Sequence, residues 1–215
     1  MCIDDIADCK YVSDIVLNQN VRANELHYDF ESYTRILKGP SNAILRREFI
    51  EFYKNNPKKD KPKQINNILI TIGGSDPKNI TGNIIKSLTK SFVENSINIK
   101  VLIGALNKND YDFGNISSDD ITIEIIDNAN KNMPELIYWS DLVITAAGTT
   151  MLEAQYLNTP AACCVVANNQ KINIPYKCEY DKAIFSPIVD RLNNIQEFYL
   201  IDGIDVGLLD INLIM

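Results

Sequence analysis

Apolar and polar positions follow one rhythm after residue 66 and a looser one before it. Short apolar runs of strand length stand at residues 66–72 (NNILITI), 97–104 (INIKVLIG), 121–127 (ITIEIID), 141–146 (DLVITA) and 160–166 (PAACCVV). Between them lie stretches of helical period. Residues 80–93 place Ile80, Ile84, Ile85 and Leu88 on one face. Residues 132–139 start a helix with Pro134 in its first turn, and residues 150–157 (TMLEAQYL) form another. Strands that alternate with helices over short turns predict a parallel sheet covered on both faces. The apolar strands agree, because parallel strands are buried on both sides.

Upstream, Asp14–Leu17 is a short strand that runs into Asn18-Gln19-Asn20, and Lys38-Gly39-Pro40 signals a turn. Residues 43–54 place Ile44, Phe49, Ile50 and Tyr53 near helical spacing. The polar, basic stretch NNPKKDKPKQINN follows, with two prolines, and reads as a linker. The chain therefore divides into residues 1–58, a partial N-terminal domain, and residues 59–215, an α/β domain of Rossmann-like type. Residues 180–215 have no clean period and predict one or two strands or a packed tail.

Charge narrows the classes of partner. The chain has 28 acidic and 21 basic side chains, a formal charge of −7 and no basic tail, which argues against nucleic acid as the partner. No apolar run is long enough for a transmembrane helix. The N-terminal stretch lacks the basic-then-apolar pattern of a secretion signal, so a cytoplasmic protein with reduced thiols is expected. Of the five cysteines, Cys163 and Cys164 fall inside an apolar run and read as buried strand residues. The single histidine, His27, excludes any site that needs two histidines from this chain.

Ligands of open parallel sheets bind beyond the carboxyl ends of the strands. Three turns stand at such ends. The first is Gly73-Gly74-Ser75-Asp76-Pro77, followed by Asn79 and Thr81. Its glycines allow close backbone approach, and the next helix offers amides to an anion, with Asp76 or Asn79 as the alternative cap. The second is Ala146-Ala147-Gly148-Thr149-Thr150 with Glu153. Glu153 either closes a capping box with Thr150 or accepts two ribose hydroxyls. The third, Asn168-Asn169-Gln170, is either a polar turn or a set of uncharged donors and acceptors for sugar hydroxyls. No Walker loop or dinucleotide fingerprint is present. Together the three turns describe a nucleotide-sugar site.

GGSDP, AAGTTMLEA and NNQ, preceded by IDDIAD at 3–8, SDIVLNQN at 13–20 and GPSNAILRREF at 39–49, resemble one family in order. It is the UDP-2,4-diacetamido-2,4,6-trideoxy-beta-L-altropyranose hydrolase family of pseudaminic acid biosynthesis, to which spore coat polysaccharide biosynthesis proteins are similar. The resemblance implies the C-terminal domain of a GT-B-type fold that binds a UDP-sugar and hydrolyses its sugar–phosphate bond without metal or organic cofactor. It implies Gly74 and Ser75 by the diphosphate, and Asn79 as a substrate-binding asparagine. Gly148, Thr149 and Thr150 would face the phosphates, with the threonines capping the helix. Glu153 would hold the ribose, and Asn169 and Gln170 the sugar. The family's general base is a histidine in a Gly-x-Gly-His segment that has no counterpart here, and His27 stands in NELHYDF. The catalytic residue is therefore left unassigned, and a separate or upstream N-terminal domain becomes the expected partner. A glycosyltransferase of spore coat polysaccharide synthesis and a noncatalytic UDP-binding remnant are the alternatives. Without partner strands, residues 1–58 are expected to leave apolar surface exposed.

Overall fold

The computed structural model describes residues 1–89, 96–107, 109, 111, 120–127 and 132–209. Its main body is a six-stranded sheet. The strands are β6 (Asn67–Thr71), β7 (Ile97–Ile103), β8 (Ile121–Asp127), β9 (Leu142–Ala146), β10 (Ala161–Cys164) and β11 (Phe198–Ile201), in the spatial order β11-β10-β9-β6-β7-β8. All neighbours are parallel except β11, which runs antiparallel to β10. This is the doubly wound order, and it reverses between β6 and β9. The expected Rossmann-like α/β fold is the observed one.

Side-chain alternation along the strands builds both layers. Ile68, Ile70 and Ile72, with Leu142, Ile144, Ala162 and Cys164, pack against α2 (Ile80–Thr89) and α5 (Lys182–Asn193). Their neighbours Leu69, Val143, Ala161 and Cys163 face the other way. They pack against α1 (Arg47–Asn55), α3 (Met133–Trp139) and α4 (Thr149–Tyr156). Period-two burial on both faces is what a sheet between two helical layers requires. Burial pushes the Cys164 thiol up to about 11 and the Cys163 thiol well above the ordinary range, so both remain protonated packing groups.

Two expectations change, and a third is seen only in part. The helix expected over 43–54 begins at Arg47, because Ala43–Arg46 are extended and Ala43 pairs with the C-terminal segment at Leu208. The helix expected over 80–93 is seen as α2 to Thr89, and its remainder lies outside the described residues. The stretch expected as a linker is strapped down. Lys59 donates to the Ser140 carbonyl, Lys61 pairs with Asp202, and Asn158 Nδ2 donates to the Lys59 carbonyl at 2.6 Å. In the hard-to-read tail, α5 contains Pro187, and β11 extends the sheet.

Residues 1–38 hold a second, smaller parallel sheet, β1 (Cys2–Ile3), β3 (Ile15–Asn18) and β5 (Arg35–Lys38), in the order β1-β3-β5. A further parallel pair joins β2 (Lys10–Tyr11) to β4 (Asp29–Phe30). Of these, only β3 matches an expected strand, read from the sequence as Asp14–Leu17 and observed at Ile15–Asn18. Ile3, Ile6, Val12, Phe30 and Tyr33 are exposed, which is the apolar surface expected of this part. The loop after β3 bonds to the segment after β10: Val21 N–H donates to Asn173 Oδ1 at 3.1 Å and Arg22 N–H to the Ile172 carbonyl at 3.0 Å. The carboxyl ends of the two parallel sheets therefore approach each other.

Candidate functional site

The order reversal places the carboxyl ends of β6 and β9 side by side. A cleft of about 320 Å³ opens there, lined by Thr71, Gly73, Gly74, Gly104, Thr149, Thr150, Glu153 and, from the N-terminal part, Arg46. Gly73 has φ +97°, a backbone that side chains rarely adopt. A Cβ on Gly104 would sit 2.3 Å from the Gly73 carbonyl oxygen. The double-glycine turn and the end of β7 are thus in backbone contact.

The two helix N-termini at this edge differ. At α2, Asp76 is buried and its carboxylate accepts from Ile80 N–H at 2.8 Å and Thr81 N–H at 2.7 Å. Asn79 Oδ1 accepts from Gly82 N–H at 3.2 Å, and Asn79 itself has φ 50°. Both caps considered for this turn are therefore in place, and the amides expected to meet an anion already hold a carboxylate. At α4 no side chain caps the helix; its N-cap is Gly148. The threonine caps expected at Thr149 and Thr150 do not form, and the electropositive end of α4 stands open to the cleft. Replacing Asp76 with Ala should lower stability by about 1–2 kcal/mol, seen as a lower urea midpoint with unchanged slope. An unshifted midpoint would mean that water caps α2 as well.

Glu153 makes no capping box. Glu153 is 1% exposed, and both carboxylate oxygens accept from Arg46: Nε to Oε1 at 2.7 Å and Nη2 to Oε2 at 3.0 Å. Burial pushes the Glu153 carboxyl above its ordinary range, and the Arg46 guanidinium pulls it partly back. Sequence reading missed Arg46. It stands beside Arg47 in ILRREF, and spacing alone does not say which arginine turns inward. Arg47 pairs with Glu51 on the surface.

The third turn forms a short 3-10 helix, Asn168–Asn173. Gln170 Oε1 accepts from Val166 N–H at 2.9 Å, and its Nε2 lies 3.8 Å from where a Gly148 Cβ would stand. Asn169 Nδ2 donates to Asp5 Oδ2 at 3.2 Å, reaching the N-terminal sheet. A second cleft, about 660 Å³, opens beside Asn168 and Lys171. Ser75 is exposed in the double-glycine turn, and His27 is exposed in the loop before β4. The structure thus gathers Gly74, Thr149, Thr150 and Glu153 in one cleft. Gly148 precedes the threonines as the N-cap of α4 with Gln170 beside it, Asn169 pairs with Asp5, and Asn79 is turned into its own helix.

An open α/β domain of this order binds its ligands at the switch point, where the buried carboxylate and the uncapped helix stand. The match to known families is specific. Residues 67–174, half of the chain, match the glycosyltransferase family 28 C-terminal domain, and the chain belongs to that family. This makes it a glycosyltransferase-like domain of the kind that handles nucleotide sugars. It is similar to a protein of Methanocaldococcus jannaschii described as uncharacterized protein MJ1062, at 34% identity over 197 residues. That match covers 89% of this chain and 39% of the relative, so the chain spans well under half the relative's length. Among the described residues, no helix is long and apolar enough to cross a membrane.

Proposed function

We propose that this chain binds the UDP part of a nucleotide sugar in the switch-point cleft and serves the hydrolysis of its sugar–phosphate bond. The observation that carries the binding reading is Glu153, a buried carboxylate aimed into a cleft next to an uncapped helix N-terminus. Its oxygens can accept both ribose hydroxyls while Arg46 favours the ionised form. The α4 amides and the backbone of Gly73-Gly74 would take the diphosphate, with Ser75 beside it. The sugar would then extend toward Asn169 and Gln170.

Hydrolysis, rather than transfer, follows from the resemblance over residues 3–170, pseudaminic acid synthesis included. Water attack needs a positioned base, and His27 is exposed outside the family's histidine segment. In this reading a separate or upstream N-terminal domain supplies the base, and the work is done in the cytoplasm. Transfer to a surface-polysaccharide acceptor is the second reading, favoured by the family 28 match.

Calorimetric titration with UDP tests the binding step. Wild type should bind, and Glu153→Gln should bind roughly tenfold more weakly or worse, since a hydrogen bond to a charged group is worth about 1.5–3 kcal/mol. Equal affinity in the two proteins would sink the assignment. UDP release from the diacetamido UDP-sugar, with an N-terminal domain added, separates hydrolase from remnant.

A further inference from the structure

Asn173 is the last residue of the 3-10 helix after β10, and it is 5% exposed. Its side-chain amide is used at both ends. Oδ1 accepts from Val21 N–H at 3.1 Å, in the loop after β3. Nδ2 donates to the Ala147 carbonyl at 3.0 Å, in the turn between β9 and α4. Both partners are backbone groups of fixed polarity, so turning the amide over would set donor against donor and acceptor against acceptor. One buried amide thus joins the N-terminal part, 152 positions away in the chain, to the turn 26 positions away.

The Ala147 contact bears on the nucleotide cleft. Ala147 is fully buried and directly precedes Gly148, the N-cap of α4. The other amides of the turn are also committed. Ala147 N–H donates to the Cys164 carbonyl at 2.9 Å, and Gly148 N–H to the Ala146 carbonyl at 2.7 Å. The peptide between Ala147 and Gly148 is the weak point, because a glycine rotates freely about φ and lets the preceding peptide turn over. That rotation would reverse a backbone dipole immediately before the first turn of α4, where an anion needs amides rather than a carbonyl oxygen. It would also leave Asn173 Nδ2 without its partner in a buried place, which opposes the rotation.

We propose that Asn173 is a positioning residue for the diphosphate: it locks the Ala147–Gly148 peptide so that α4 presents the backbone of Thr149 and Thr150 to the phosphates. This rests on the nucleotide reading above and adds to it a residue that touches no ligand. Asn173 lines neither cleft and acts through the turn. No side chain caps α4, so the conformation of this turn sets what the helix end offers. Val21 N–H completes the arrangement by holding Oδ1 and fixing the rotation of the amide. The N-terminal part therefore helps to shape a phosphate site built on the other sheet.

The test is paired calorimetry with uridine and with UDP at pH 8 on wild type, Asn173→Ala and Asn173→Asp. Uridine reports the nucleoside end at Glu153, and UDP adds the phosphates. Wild type is expected to bind UDP at least roughly tenfold more tightly than uridine, and Asn173→Ala to lose most of that difference while uridine affinity stays within about twofold. Asn173→Asp keeps the shape and the acceptor for Val21 but sets a carboxylate oxygen against the Ala147 carbonyl. It should weaken UDP at least as much as Asn173→Ala does. Wild-type UDP affinity in Asn173→Asp would show that Asn173 only ties the two sheets together and would overturn the proposal. Equal loss for uridine and UDP, or unchanged UDP affinity in Asn173→Ala, would overturn it too. Should Asn173→Ala not fold, Asn173→Asp and Asn173→Ser carry the same comparison. Wild type that binds neither ligand would refute the nucleotide reading itself, whereas intact binding in every variant would refute the role of Asn173 alone.

Discussion

Arg46→Ala is expected to destabilise the protein at neutral pH by about 2–3 kcal/mol, because it strands a buried carboxylate. The figure sits below the usual range for a broken buried pair because the Arg46 side chain is 41% exposed, so water can partly replace it. The pH dependence has a definite sign. Burial already raises the Glu153 carboxyl above its ordinary value, and Arg46 is what opposes the rise. Without Arg46 the folded-state value climbs further above the unfolded one. An acid raised in the folded state costs nothing below its unfolded value, near 4.3, where both states are protonated. The penalty grows as pH rises from there and levels off above the folded-state value. Thermal midpoints of wild type and Arg46→Ala should therefore converge near pH 4 and separate toward pH 7, by about 2–4 °C for each kcal/mol. The double variant Arg46→Met with Glu153→Leu removes both charges and should recover much of the loss. A midpoint gap that is the same at both pH values would show that Arg46 acts only by packing against Phe49, whose ring it covers at 5.0 Å.

Gly104→Ala is expected to cost about 1–3 kcal/mol and to abolish nucleotide binding. The added Cβ would meet the Gly73 oxygen at 2.3 Å and the Gly74 carbonyl carbon and oxygen at 2.6 Å. These are backbone atoms, so no side-chain rotation relieves the clash. The turn must move, and it forms one wall of the cleft. Gly74→Ala provides the contrast: its Cβ would meet nothing within 4 Å, and Gly74 does not have the positive φ of Gly73. The melting temperature should stay put while UDP affinity falls, if the backbone there approaches a phosphate. Unchanged affinity in Gly74→Ala would remove the double-glycine turn from the site.

The five parallel strands were legible because each is an apolar run bounded by a turn. Helix α4 and Glu153 were legible because Gly148 punctuates strand and helix. Helix α5 was not, since Pro187 interrupts a face that Phe185, Ile188, Val189 and Leu192 otherwise mark. The small N-terminal strands were missed because β1, β2 and β4 are two residues long, too short to show any period. In the site, residue types near turns could be read, but their use could not. Asp76 and Asn79 were read as alternative caps of α2, and the fold uses both. Arg46 becomes a site residue only through a contact 107 positions away in the chain.

That contact ties the pairing of the buried Glu153 carboxylate to the docking of α1. Arg46 lies before the expected boundary at residue 58, and Phe49, one turn on, is fully buried in the layer with α3 and α4. A domain cut at that boundary would keep Glu153 and lose the guanidinium that opposes the rise of its carboxyl. With the ligand held at Glu153 as proposed, whatever loosens α1 would weaken the ligand, and by linkage the ligand would tighten α1 by the same factor. The junction between the two parts of the chain would then also be a lever on affinity.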